Sequence, residues 1–213
     1  MTNFIPIFPL NVVVYPKETL YLHIFEPHYQ QLLNDCYAHK KPFGIPTVLN
    51  NRLGELGTLM EITEVSKIYD DGTMDIKTIG VKVFRILEFI KTIPNKLYSG
   101  AIVNYPENEL ETERQQLIQH VIQTIHQLHH LLVVQKDFKK PDHTLTAYDM
   151  AHHVGLSIEE EYELLGLMQE DQRLTYLHQH LKKILPILAE TEILKKKIKL
   201  NGHFKRLSGF EFE

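Results

Sequence analysis

The sequence predicts an α+β protein in which a closed or semi-closed β-barrel with one short helix is followed by a bundle of helices. Before about residue 105, apolar and polar residues alternate in short runs separated by turn residues, as in a barrel of short strands. Beyond residue 105, apolar residues recur at the spacing of amphipathic helices. We therefore expect a β-rich domain at 1–105, a helical bundle at 106–200 and a basic, then apolar tail at 201–213.

Composition limits what the chain can do. Its 213 residues, 43% of them hydrophobic, are enough for one large or two small cores, and the net charge of -4 gives no general attraction to nucleic acid. The single cysteine, Cys36, excludes an internal disulfide and a cysteine-based zinc site. The N-terminus lacks the features of a signal peptide, and no apolar run approaches the length of a membrane span. We expect a cytoplasmic protein with no membrane partner.

The β-rich half is expected to contain a long hairpin. Alternating runs at roughly 58–69 and 73–79 flank Asp71-Gly72, a dipeptide typical of tight hairpin turns. A further strand is expected at 81–90, with Gly80 as a bulge where the strand changes face. Three prolines among the first sixteen residues predict a first strand that is short and lies at an edge.

The segment HIFEPHY, residues 23–29, is predicted to contain the end of a strand and the start of a helix. In the strand before this corner, aliphatic residues at 20, 22 and 24 alternate with Tyr21, His23 and Phe25. His23 should therefore project from the face opposite the leucines. Pro27 suits the first turn of the following helix, and Glu26 lies at its positive end. A metal site would require His23 and His28 to converge, which their spacing does not impose.

Four helices are expected in the second half. The stretch 108–134 predicts one helix of about 25 residues, with four glutamates between 107 and 113 in its first turns. Thr146 and Gly155 bound a short helix, and Ser157 with Glu160 has the spacing of a capping box. A last long helix should begin near Asp171 and be kinked or locally broken within its length by the proline at position 186.

Histidines and a basic segment in this half are weaker candidates. His126, His129 and His130 have the i, i+3, i+4 spacing that could present imidazoles to a metal. The HExxH pattern is absent, so we expect packed or solvated histidines rather than a metal site. The basic residues between 195 and 206 could contact RNA or an acidic protein, but we expect them to form a helix C-terminus, where the dipole favours cations.

Several blocks in order resemble one known family. The blocks IPIFPLNVVVYP, LYLHIFEPHY, PFGIPTVL, the hairpin region and YSGAIVNY look like the N-terminal substrate-binding domain of the Lon ATP-dependent proteases. The helical stretch TAYDMAHHVGLSIEEEYELLGLMQEDQRLTYLHQHL is similar to the section that follows it, so the resemblance spans residues 4 to about 200. It implies a PUA-like pseudo-barrel followed by a helical bundle, with a role in engaging protein substrates and supporting assembly of the protease ring. His28 replaces the family's usual arginine.

The chain is not expected to be an enzyme. It contains no GxxxxGK[ST] loop to hold ATP phosphates. The family's peptidase section, with its serine and lysine pair, lies beyond where the sequence stops. We expect no protease or ATPase activity, no cofactor, no metal and no catalytic residue.

The resemblance favours a module that binds unfolded or partly folded protein segments through exposed apolar surface. A separate protease as partner and self-association both stay open. The candidate binding residues are Tyr15, Tyr21, His23, Phe25, Tyr29 and Phe43.

The alternative is an RNA-binding module, since pseudo-barrels of this kind also occur in RNA-binding proteins. It would need a basic face on the barrel, and the overall acidity argues against one. We therefore do not expect nucleic acid as the partner. The basic residues that would form such a face are Lys67, Lys77, Lys82 and Arg85.

Overall fold

The computed structural model describes residues 2–204 of the chain and the side chains of residues 2–198. The described part forms two compact units. The first extends to Glu111 and also contains residues 155–173, and the second contains residues 112–154 and the chain from Leu174 onward. Six strands and five α-helices confirm the predicted α+β class.

The elements follow one another in the order that the sequence predicts, strands first. The strands are β1 (Thr2–Pro6), β2 (Thr19–Ile24), β3 (Phe43–Leu49), β4 (Arg52–Ile68), β5 (Met74–Ile90) and β6 (Gly100–Asn104). The helices are α1 (Pro27–Ala38), α2 (Gln115–Leu132), α3 (Ala147–Ala151), α4 (Ile158–Leu165) and α5 (Glu170–Phe204).

The strands form one antiparallel sheet that closes on itself. Its order is β1-β6-β5-β4-β3, with β2 paired to the first half of β5. The chain after β1 then runs beside β3, through parallel bridges from Ile7 to Gly44 and from Leu10 to Thr47. These bridges connect the β1 end of the sheet to the β3 end, which closes the sheet into a barrel. The predicted barrel is confirmed.

The β4–β5 hairpin is longer than predicted but has the expected turn and bulge. The Asp71 carboxylate accepts hydrogen bonds from the hydroxyl and the backbone N-H of Thr73, which lower the pKa of Asp71. Gly72 takes a φ of 85°, a conformation that favours glycine. Leu59 pairs with Lys82 and Met60 with Gly80, so one residue of β5 bulges between them.

Helix α1 closes one side of the barrel core. It begins at Pro27, as predicted, and buries Leu32, Leu33 and Cys36 against a cluster that includes Phe43 and Met60. Burial raises the pKa of the Cys36 thiol to about 12. Cys36 is therefore a packed apolar group, as expected for a free cysteine on an apolar helix face.

Helix α2 begins later than the sequence predicts. It starts at Gln115, so the acidic residues before it lie outside the first helical turn, and that prediction is wrong. The N-H of Glu109 donates to the carbonyl of Met168 at 2.8 Å, and the Arg173 guanidinium binds the side chain of Asn108 at 2.7 Å and the carbonyl of Glu109. These long-range bonds hold the backbone in a non-helical path that the dipole preference cannot overcome.

The remaining helix signals are largely confirmed. Thr146 with Asp149 and Ser157 with Glu160 form capping boxes at the starts of α3 and α4. Helix α5 begins at Glu170 and continues through Pro186, so the predicted local break does not occur, and a kink at this residue stays a prediction. Of the predicted tail, residues 201–204 belong to the backbone of α5, and residues 205–213 lie outside the described part.

Candidate protein-binding surface

An exposed aromatic surface lies on β2 and the turn that follows it. Tyr21 and Phe25 are 70% and 64% exposed, and His23 is exposed between them. Strand alternation explains this placement, because Leu20, Leu22 and Ile24 turn towards the core instead. The His23 ring lies 6.3 Å from that of Phe25 and 6.0 Å from that of Tyr69. We call Tyr21, His23, Phe25 and Tyr69 the β2 face.

A hydrogen-bond network fixes the polar part of the β2 face. Asp75, which pairs with His23 across β2 and β5, accepts a bond from His23 Nδ1 at 2.6 Å and from the Tyr69 hydroxyl at 2.8 Å. These bonds lower the pKa of Asp75, the one from His23 most. An ionised Asp75 thus holds His23 and Tyr69 in place.

The ends of the β2 face carry lysines. Lys77 lies 5.9 Å from the centre of the Tyr21 ring, and Lys67 lies 4.2 Å from that of Tyr69. Each lysine also has an acid opposite it in the sheet, Glu64 for Lys77 and Asp75 for Lys67. The surface is therefore aromatic in its middle and of mixed charge at its rim.

Strand β2 also offers backbone groups beside these side chains. Over the part of the chain that the structure describes, β5 is the only strand paired with β2. The other edge of β2 therefore has no strand partner among the described residues, and extended peptides can add to such unpaired edges.

The other candidate residues lie elsewhere. Tyr15 is 1% exposed and its hydroxyl donates to the carbonyl of Glu161, while Phe43 is fully buried in the barrel core. A buried side chain can contact a partner only after the structure opens. Tyr29 is half-buried against Phe8, and burial, followed by the charge of Glu26, raises the pKa of its hydroxyl.

Tyr29 lines a separate groove of about 560 Å³ at the start of α1. Its walls are mostly apolar, with Lys91 and His28 as the basic groups. His28 lies 3.7 Å from Glu26, so part of its environment is acidic. The groove can hold an apolar side chain, and none of the β2 face residues lines it.

The histidines of the second unit pack against other rings and backbone carbonyls. His129 is buried, and its Nε2 lies 3.0 Å from the carbonyl of His153. The Phe138 ring contacts both His126 and His153. Among the residues whose side chains the structure describes, no three histidine, cysteine, aspartate or glutamate residues are grouped to hold a metal ion.

Sequence reasoning missed Tyr69 and Asp75. Both flank the predicted turn at Asp71-Gly72, so the hairpin alone places them near each other. What joins them to His23 is the pairing of β2 with β5, and the two strands lie some 50 residues apart. No local pattern could reveal that register.

The chain is similar to a known family over most of its length. The family described as the ATP-dependent protease La (LON) substrate-binding domain matches residues 5–183. The match is to that domain alone, with no protease or ATPase section. None of the described helices has the length and hydropathy of a membrane span.

Two solved structures share the fold. A Lon N-terminal domain protein from Xanthomonas campestris aligns with a TM-score of 0.61 and 23% identity, covering 83% of this chain and 98% of that one. The N-terminal domain of a Mycobacterium avium complex Lon protease aligns with a TM-score of 0.61 and 14% identity, covering 84% and 98%. At these identities the likeness shows the fold.

Proposed function

Because the chain belongs to the family of the ATP-dependent protease La (LON) substrate-binding domain, we propose that it is a protein-binding module for unfolded or exposed apolar segments. The β2 face is the observation that carries this proposal. It places two largely exposed aromatic side chains beside a strand edge that has no strand partner among the described residues. We expect the module to bind and present a polypeptide without chemical change to it, since the family match contains neither the ATPase nor the peptidase section.

Strand addition would give such a module broad specificity. Hydrogen bonds to this edge of β2 use only the backbone of the bound segment, so they do not select a sequence. Selection then comes from Tyr21 and Phe25, which favour segments with apolar side chains in alternate positions. Unfolded chains expose such segments, whereas folded proteins bury them.

The energetics predict weak binding to many segments. Apolar burial contributes about 25 cal/mol per Å², and the entropy of ordering a flexible segment offsets part of it. The network of His23, Tyr69 and Asp75 reduces the cost on the module's side, because these groups are already held by one another. We therefore expect dissociation constants in the micromolar range.

Local charges favour a protein over RNA as the partner. Lys67 and Lys77 face acids across the sheet, and Arg85 lies 3.9 Å from Glu55. A lysine opposed by a carboxylate releases fewer counterions when it meets a phosphate, so its contribution to RNA affinity is small. Of the four basic residues considered for RNA, only Lys82 has neither an acid opposite it in the sheet nor an ion pair among the described residues; it pairs with Leu59 and lies 3.7 Å from the centre of the Tyr105 ring.

Fluorescence anisotropy with an unfolded model polypeptide and a structured RNA of similar size, each at two salt concentrations, tests the proposal. Apolar recognition predicts saturable polypeptide binding that persists at the higher salt. RNA binding that weakens steeply with salt, together with no polypeptide binding, would overturn the proposal in favour of the RNA alternative.

A further inference from the structure

Two histidine rings from different helices meet in the second unit. His120 of α2 is exposed and His178 of α5 is half-buried, and their ring centres lie 4.9 Å apart at an interplanar angle of 62°. Both residues line a groove of about 750 Å³, together with residues 113–117 at the start of α2. Solvent can therefore reach the pair through this groove.

One nitrogen of this pair is unsatisfied. Nδ1 of His178 is buried and has no hydrogen-bond partner among the described residues. A buried polar atom without a partner costs free energy, and a bound ion is one of the few groups that remove this cost.

A second histidine pair of this unit is less suited to a ligand. The rings of His129 and His153 lie 5.5 Å apart, and Nδ1 of His153 is also unpaired among the described residues. However, Nε2 of His129 already bonds the carbonyl of His153, and the Phe138 ring lies 4.5 Å from that of His153. The pair of His120 and His178 is therefore the better candidate.

We propose that His120 and His178 together bind one divalent transition-metal ion such as Zn²⁺. Two imidazoles on one tetrahedral zinc ion, each with a Zn–N distance of about 2.0 Å, have ring centres about 5 Å apart. The observed separation already has this value. Binding thus requires the rings to turn about their own side-chain bonds, while α2 and α5 keep their positions. Water from the groove completes the coordination.

The charges around the pair permit a metal ion. Burial, followed by the charges of His120 and Lys182, lowers the pKa of His178, so its imidazole is neutral at pH 7, as a metal ligand must be. The charged residues beside the pair are Glu113, Arg114 and Lys182, of which Glu113 attracts a cation. Imidazole ligands favour Zn²⁺, Cu²⁺ or Ni²⁺, whereas Mg²⁺ and Ca²⁺ prefer oxygen ligands.

The number of protein ligands sets the expected affinity. A structural zinc site has four, and this site has two, so we expect a dissociation constant in the micromolar range. The ion joins α2 to α5 only when the chain is folded, since the two histidines are far apart in sequence. Zn²⁺ should therefore raise the unfolding temperature.

Calorimetric titration of the metal-free full chain with Zn²⁺ tests the site. The wild type should bind one equivalent, and H120Q and H178Q should each bind it at least about tenfold more weakly. His120 is exposed, so H120Q should keep the fold, which circular dichroism checks. H130Q is the matched control, because it removes another exposed histidine of α2 and should bind like the wild type. No saturable binding by the wild type, or equal affinities of H120Q and H130Q, would overturn the proposal.

Two further measurements test the ligands and the link between the helices. X-ray absorption of the zinc-loaded wild type should show two imidazoles per ion, with oxygen in the other positions; a single imidazole would overturn the pairing. Thermal unfolding with Zn²⁺ should show stabilisation of the wild type and H130Q but not of H120Q, and Mg²⁺ should stabilise none of them. Equal stabilisation of H120Q by Zn²⁺ would place the ion elsewhere.

Discussion

Arg173 and Glu170 form an ion pair whose side chains are both buried, with Nη2 of Arg173 2.8 Å from Oε2 of Glu170. The same guanidinium binds Asn108, the carbonyl of Leu167 and the carbonyl of Glu109. It thereby joins the start of α5 to the chain that leaves β6. A buried charge is costly unless its partners are all in place, so this cluster has little tolerance for change.

Replacing Arg173 by methionine should therefore destabilise the protein strongly. The change removes the guanidinium from the buried carboxylate of Glu170, and breaking a buried ion pair in this way typically costs about 3–5 kcal/mol of unfolding free energy. Urea denaturation followed by circular dichroism measures it. Arg85→Met is the control, because the Arg85 pair with Glu55 is exposed and long at 3.9 Å and should contribute less than about 1 kcal/mol. Equal stability of the two variants would contradict the role given to Arg173.

Tyr21→Ser and Phe25→Ser should each weaken binding of an unfolded polypeptide by about 5- to 20-fold, the loss expected when one largely buried aromatic contact is removed. Both side chains are exposed in the free protein, so the fold should be unaffected. Anisotropy titration gives the affinities. Phe89→Ser removes another exposed phenyl at the far end of β5 and should leave binding unchanged. Loss of affinity in the Phe89 variant as well would mean that binding does not depend on the β2 face.

Stability should fall in mild acid because of His153. Burial, aided by the positive charge of Lys136, lowers the pKa of His153 from 6.5 to about 4. Between those pH values the unfolded chain binds a proton at this site and the native protein does not. The stability present above pH 6.5 is therefore lost as the pH falls towards 4. The side chain is only half-buried, so we expect a loss of about 1–2 kcal/mol.

Thermal unfolding at several pH values between 7.5 and 4.5 measures this loss. His153→Gln removes the titrating group and should flatten the pH dependence. His143→Gln, at an exposed histidine, should leave the slope of the wild type unchanged. An identical slope for wild type and His153→Gln would show that other groups control the acid sensitivity.

Cys36 should resist thiol reagents in the native protein. Burial raises the pKa of its thiol to about 12, so almost no thiolate exists at pH 8 and the sulfur is also shielded. A colourimetric thiol assay should show slow labelling of the native protein and rapid labelling after denaturation. Rapid labelling of the native protein would mean that α1 opens readily.

Local chemistry in the sequence predicted most turns and helix starts. Pro27, Ser157 and Asp71-Gly72 each act through neighbours a few residues away, and each has the predicted role in the structure. The start of α2 was predicted wrongly because its determinant is distant. Arg173 binds Asn108 and Glu109 across some 65 residues, and no helical periodicity encodes that contact.

The same distinction applies to the candidate surface. Alternation in β2 correctly put Tyr21, His23 and Phe25 on the face away from the leucines. Alternation could not show that Tyr15 is buried, because the segment around it is enclosed on both sides. Consecutive residues such as Val13 and Val14 are both buried there, so burial does not alternate along the chain. Closure of the barrel decides such positions, and closure depends on contacts between distant strands.

The pairing of β1 with β6 joins Thr2 to Asn104, the first strand to the last. During synthesis, the N-terminal strand must therefore wait until the whole first half of the chain has left the ribosome before it can find its neighbour. Such long-range closure is slow compared with the formation of local helices. Until Asn104 emerges, the apolar residues of β1 and of the unfinished sheet stay open to other chains, so the newly made protein passes through the kind of exposed state that, in its proposed function, it recognises in others.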